Sequence, residues 1–148
     1  MKLISTPPNI KSMLRVHAVL LALVCAGGVS AVEMIAHAEV KSQYLNINTA
    51  RSMFGMRQAT WPDGMPVRVF VFPEHYSLHG SFCREILNIY PYQLHQSWSR
   101  LVYSGTGQAP TEVASEQEMV EKVSNTPGAI GYVNKVISND PVHPISLR

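Results

Sequence analysis

Two short polar stretches hold most of the residues able to do chemistry. The first runs Glu74-His75-Tyr76-Ser77-Leu78-His79-Gly80-Ser81-Phe82-Cys83 and leads into an apolar-periodic segment. The start of a helix leaves backbone N–H groups unpaired and carries partial positive charge, so Ser77, Gly80 and Ser81 there suit an anion. The same residues suit ordinary capping, in which a serine oxygen accepts from an amide of the first turn. The second stretch is Ser104-Gly105-Thr106-Gly107. It can line the same cleft or form a plain turn. It lacks the lysine of a P-loop and the strand–helix context of a dinucleotide fingerprint. The candidate ligand-binding residues are therefore Ser77, Gly80, Ser81, Gly105, Thr106 and Gly107.

His75, His79 and Cys83 follow one another at intervals of four. On a helix they would share a face, and with Glu74 they offer ligand types that Zn²⁺ accepts. Pro73 and Gly80 argue that the stretch is not one helix, and ligand identity alone does not define a metal site. No metal or other cofactor is assigned. Cys83 beside Phe82 reads as a small buried hydrophobe. Cysteine–histidine catalysis needs a base in reach and a third group to orient it. His95 and His143 have no visible partners, so the reading is non-catalytic.

The elements that would position these residues alternate between helix and strand. Asn48 or Thr49 can cap a short helix carrying Ala50, Met53 and Phe54, with Gly55 at its end. Trp61-Pro62-Asp63-Gly64 is a turn signal. Val67 to Phe72 reads as a buried strand stopped by Pro73. Tyr76 to Ser81 reads as a polar loop, followed by a helix that buries Phe82, Ile86 and Leu87 and exposes Arg84 and Glu85. Leu94 to Tyr103 is ambiguous, with Trp98, Leu101 and Tyr103 expected to pack. Ser115-Glu116-Gln117-Glu118 is a capping box opening a helix with Met119, Val120 and Val123 inward. Pro127-Gly128 breaks that helix before the strand Ala129 to Val133. The segment VHPISL (142–147) reads as a last edge strand. The pattern is α/β, a single sandwich domain.

Composition narrows the class. The chain has 148 residues, 46% of them hydrophobic and 15% charged, which argues against native disorder. No clustered basic face marks a nucleic-acid partner. Lys2, Lys11 and Arg15 precede an uncharged run from Val16 to Val32. Ala36-His37-Ala38 before Glu39 and Val29-Ser30-Ala31 before Val32 are both small-residue cleavage signals. This three-part pattern is that of a secretory signal peptide, expected over residues 1–38, with the domain over 39–148. The apolar run is shorter than the roughly 20 residues a membrane span needs, so no stable span is expected after cleavage. The basic start leaves with the leader, and the remaining chain is close to neutral. Only Cys83 then remains, which excludes an intrachain disulfide.

Phe54-Gly55, Trp61-x-Asp63-Gly64, Phe82, Trp98, Ser104-Gly105, Pro110, Val123 and Pro127-Gly128-Ala129-Ile130-Gly131-Tyr132-Val133 occur in this order. In that combination, from about Leu45 to Val133, the chain resembles the phosphate ABC transporter substrate-binding proteins. These have the type II periplasmic binding protein fold. The resemblance implies an α/β domain like one lobe of such a protein, exported to the periplasm. It further implies a phosphate or similar oxyanion held by backbone N–H groups at helix N-termini and by Ser, Thr, Arg and Asp side chains. Two departures stand out. The chain is about one lobe long, without the glycine-rich anion loop of the first lobe. The second-lobe loop has no arginine, and Glu74 lies near its place, where a carboxylate repels phosphate. The resemblance thus leaves two functions open, a weak oxyanion receptor or an envelope adaptor that has lost its ligand and docks on a protein partner.

Overall fold

The computed structural model describes residues 32–137 and 141–148; the leader expected over residues 1–38 lies outside them except for its C-terminal end. That end is part of the sheet. Glu33–His37 forms strand β1, with Ile35 and Ala36 fully buried and Met34 nearly so. A domain starting at Glu39 would lack it. Of the two alanines in the A-x-A match, Ala36 is a small core residue of that strand.

Five more strands follow: β2 (Tyr44–Leu45), β3 (Arg68–Val71), β4 (Thr111–Glu112), β5 (Ala129–Val133) and β6 (Val142–Leu147). They form one mixed sheet in the order β2-β6-β1-β5-β3-β4. β1 pairs antiparallel with both β5 and β6, whereas the β3–β4, β3–β5 and β2–β6 pairs are parallel. β1 alone therefore runs against the rest. VHPISL is a strand as expected, but β2 pairs outside it, so it is not the edge. Pro144 has no N–H to give, and it sits opposite Ile35 of β1.

The sheet is covered on both faces. Successive residues of a strand point to opposite sides. In β5, Gly131 turns toward helix α4 (Glu116–Asn125), where a side chain at 131 would collide with Met119. Tyr132 turns the other way, onto Phe82, Phe54 and Phe72. That second layer is built from α1 (Ile47–Phe54), α2 (Ser77–Ser81) with a π-helical turn over Phe82–Ile86, and α3 (Pro91–Tyr103). This is the α/β sandwich expected for one lobe of a type II periplasmic binding protein.

Local chemistry explains the helix ends. Asn46, not Asn48 or Thr49, caps α1: its backbone is extended, and its side chain accepts from Asn48 N at 2.8 Å. Ala50, Met53 and Phe54 are buried as their spacing requires. Gly55 is the C-cap, and a Cβ there would lie 2.8 Å from the Arg51 carbonyl oxygen, which favours glycine at this position. Ser115 caps α4 by accepting from Glu118 N at 3.2 Å, while the Glu118 carboxylate accepts from Ala114 N at 2.7 Å. The ambiguous segment proves to be α3, with Pro91 at its start. Leu94 and Trp98 are buried and Leu101 is half-buried, but Tyr103 points into solvent. Gly128 has φ +75° and would clash with Pro66 O if it carried a side chain. Its carbonyl accepts from Trp61 Nε1 at 2.9 Å, which ties the Trp61–Gly64 turn to the start of β5.

Candidate functional site

The chain passes straight from β3 through Pro73 and Tyr76 into α2, so the segment expected to be a loop is helical. Tyr76 occupies the cap position without a side-chain hydrogen bond. Ser77 is the first helical residue, and Gly80 and Ser81 lie beyond the first turn. Neither serine acts as the cap. Of the first-turn amides, Tyr76 N gives to Pro73 O and His79 N to Tyr76 O, both at 2.9 Å. A guanidinium does stand close to this stretch. Arg84, one turn further on, places Nη1 3.0 Å from where a Cβ on Gly80 would be, so its guanidinium lies over Gly80. The signal was present in the sequence as an i, i+4 pair. Gly80, a weak helix former, hides that pairing along the chain.

The second candidate stretch closes a different helix end. Gly105 N donates to Val102 O at 3.1 Å. Thr106 N and Gly107 N both donate to Leu101 O, at 3.0 and 3.2 Å. Ser104 Oγ donates to Leu101 O at 3.1 Å and meets Thr106 Oγ1 at 2.7 Å. These groups therefore satisfy the orphan carbonyls of α3. The C-terminus of a helix carries partial negative charge, which disfavours an anion. Gly105, with φ +69°, is the left-handed residue such a termination uses. The backbone amides of Gly105, Thr106 and Gly107 are thus engaged in ending α3.

Behind α2 lies a buried polar cluster. His79 is 1% exposed, and its Nδ1 stands 2.6 Å from the Tyr132 hydroxyl. That oxygen also accepts from Phe72 N at 3.0 Å. The economical assignment has Tyr132 O–H donating to Nδ1, which puts the histidine proton on Nε2. Nε2 then faces Cys83 Sγ at 3.7 Å. His79 and Cys83 do share a helical face, because Gly80 does not break the helix. His75 lies outside α2 and is exposed. Burial pushes the Cys83 thiol up to about 12, opposed in part by Arg84, so the thiol is inert at neutral pH. Burial also lowers the His79 pKa, with the Glu74 carboxylate opposing, so the ring is neutral. A neutral imidazole locked between a phenol and a thiol braces α2 against β5.

The aromatic residues divide. Trp61 and Trp98 are core, whereas Tyr90, Tyr92 and Tyr103 are exposed. No described helix is long and apolar enough to cross a membrane.

No protein-family profile matches the chain, and no curated protein matches it. Solved structures do. An ABC-type phosphate transport receptor from Vibrio cholerae superposes with a TM-score of 0.59 at 11% identity, covering 78% of this chain and 45% of that one. PstS from Borrelia burgdorferi gives 0.61 at 17% identity, covering 79% and 47%. A putative phosphate ABC transporter substrate-binding protein with bound phosphate from Clostridium perfringens gives 0.60 at 13%, covering 78% and 44%. At these identities the likeness is one of fold. The chain spans a little under half the length of each of these structures, and its fold is that of a single lobe of a phosphate-receptor-like periplasmic binding protein.

Proposed function

We propose that this protein is a non-catalytic, exported binding module that takes inorganic phosphate or a similar oxyanion weakly, in the manner of half a receptor. The observation that carries the reading is the superposition on three phosphate-transport proteins, one of them solved with phosphate bound. The start of α2 is the remaining candidate contact, with Ser77 exposed and the Arg84 guanidinium over Gly80 offsetting Glu74. A half-site open to water holds its ligand loosely, because each hydrogen bond there replaces one to solvent. Export rests on the basic, apolar and small-residue pattern at the N-terminus. The place of β1 in the sheet favours processing after Ala31 over processing after Ala38.

A second reading has its own support. The Gly105–Gly107 amides are spent on α3 and are not free to hold an anion. That fits an envelope adaptor that reuses the lobe for docking. A calorimetric titration with orthophosphate at low salt separates the two. The receptor reading expects a dissociation constant near or below about 100 μM, roughly −5.5 kcal/mol, weakened about tenfold in Arg84→Gln. No heat and no thermal shift at millimolar phosphate would remove the receptor and leave the adaptor, whose partner crosslinking in the envelope would then identify.

A further inference from the structure

Among the described residues, a second feature combines a cavity with positive charge. Between the end of α1 and the outer face of α3 is a half-open cavity of about 430 Å³, lined by Arg51, Arg57 and Arg100 together with Gln93, Gln96 and Ser97. No Asp or Glu lines it. Residues 32–148 hold six arginines in a chain of nearly balanced charge, and three of them meet here.

The frame around the cavity is fixed. Ser97 Oγ donates to Gly55 O at 3.0 Å and Trp98 Nε1 to Phe54 O at 2.7 Å, which locks α3 onto the end of α1. Those bonds also occupy the last carbonyls of α1, which would otherwise oppose an anion. Arg51 is spoken for in part: its Nε donates to Leu87 O at 2.6 Å and its Nη2 to Asn88 O at 3.3 Å. Its role alone is therefore a helix-end clasp. Arg57 and Arg100 make no such bonds among the described residues. Arg57 Nε lies 3.5 Å from the position a Gly55 Cβ would occupy, which places the guanidinium beside the end of α1 at the cavity wall. Ile89, Leu94 and Leu101 supply an apolar side.

A second groove continues from this one, sharing Ile89 and Gln93 and adding Arg84, Asn88, Tyr90 and Tyr92. Tyr90 and Tyr92 are 61% and 60% exposed, and their rings lie 6.0 Å apart at 17°. Guanidinium forks match phosphate oxygens, and exposed phenol rings offer stacking faces to a planar group. The cavity is far larger than one phosphate needs and falls in the range of ordinary small-molecule sites.

We propose that the cavity bounded by Arg51, Arg57 and Arg100 binds a phosphorylated small molecule with a planar ring, of the nucleoside phosphate kind. Its phosphates lie among the arginines and its ring against Tyr90 and Tyr92. The arginine cavity is separate from the start of α2, although the ring groove beside it shares Arg84 with that contact.

The test is an NMR titration of the purified protein with ADP, inorganic pyrophosphate and adenosine in parallel, reading backbone amides and the arginine Nε–H signals. ADP should move Arg51, Arg57, Arg100 and Ser97 signals, and pyrophosphate should move the same arginines more weakly. Arg57→Gln and Arg100→Gln, both exposed and away from the core, should each weaken ADP about tenfold, the usual worth of one charge-assisted contact. Tyr92→Ala should bring ADP down to the level of pyrophosphate. Shifts confined to Ser77–Ser81, no shift up to ~10 mM ligand, or an ADP affinity indifferent to both arginine variants would overturn the site. Pyrophosphate matching ADP would overturn the ring position. Arg57 and Arg100 line only this cavity, so their variants should leave the orthophosphate titration unchanged, and failure of the two readings is distinguishable.

Discussion

Replacing Tyr132 with phenylalanine removes a single oxygen from the centre of the fold. The ring stays, and with it the parallel stack on Phe82, whose centroid is 3.8 Å away. The oxygen has two partners. Phe72 N loses its acceptor at 3.0 Å, and His79 Nδ1 loses its contact at 2.6 Å. Phe72 is 1% exposed and His79 is 1% exposed, so neither group reaches water in exchange. A buried polar group left unpaired costs about 1–3 kcal/mol. Two such groups give an expected loss of about 2–4 kcal/mol, since neighbouring penalties do not add fully. For a domain of this size that lowers Tm by about 8–16 °C. Urea and thermal denaturation of Tyr132→Phe beside wild type would measure it, with Tyr92→Phe as the exposed control, expected within about 0.5 kcal/mol of wild type. A loss below about 1 kcal/mol would refute the reasoning. It would mean that the two buried groups find other partners, and the clasp between α2 and β5 would lose its assigned role.

Two further outcomes follow from the same geometry. Because burial holds the His79 pKa below its ordinary 6.5, the unfolded chain binds its proton more readily than the folded one. Stability should therefore fall as pH drops below about 6.5, with a slope of up to roughly 1.4 kcal/mol per pH unit until the folded ring itself protonates. Urea midpoints between pH 7.5 and 5 should show this slope, and His79→Gln should flatten it; an unchanged slope would place the titrating group elsewhere. Removal of β1 should be decisive for the fold. Met34, Ile35 and Ala36 are almost wholly buried, and burying Met and Ile alone is worth about 1.5–3 kcal/mol each. With the hydrogen bonds to β5 and β6 lost as well, the deficit rivals the net stability of an ordinary domain, about 5–15 kcal/mol. A chain of residues 32–148 should show cooperative unfolding by circular dichroism, and one of residues 39–148 should not. Cooperative folding of the shorter chain would show β1 to be dispensable.

The parts of this fold that were legible in the sequence are those whose local chemistry agrees with the tertiary outcome. Met119, Val123, Ala129 and Ile130 carry unambiguous periodicity, and Ser115 and Gly128 bracket their helix with cap and turn residues. Errors arose where one local signal had two physical meanings. Ala36 and Ala38 read as a peptidase signal, and only the pairing of β1 with residues a hundred positions away reveals that Ala36 also belongs to a packed strand. Gly80 weakens a helix by intrinsic propensity, yet α2 tolerates it because Leu78 and His79 are buried beneath it and Arg84 folds over it. The Gly105–Gly107 cluster is a sound turn signal, but a turn's chemistry depends on which helix end it closes, and here it closes a C-terminus. The arginine cavity was beyond reach for a related reason. Arg51, Arg57 and Arg100 lie on separate segments with no common motif, and only the packing of Trp98 and Ser97 onto the last carbonyls of α1 brings them together. A binding site assembled in this way leaves no spacing pattern along the chain. Its existence has to be read from charge left unbalanced in a cavity, which makes the arginine variants a sharper probe of function than any residue the linear motifs pointed to.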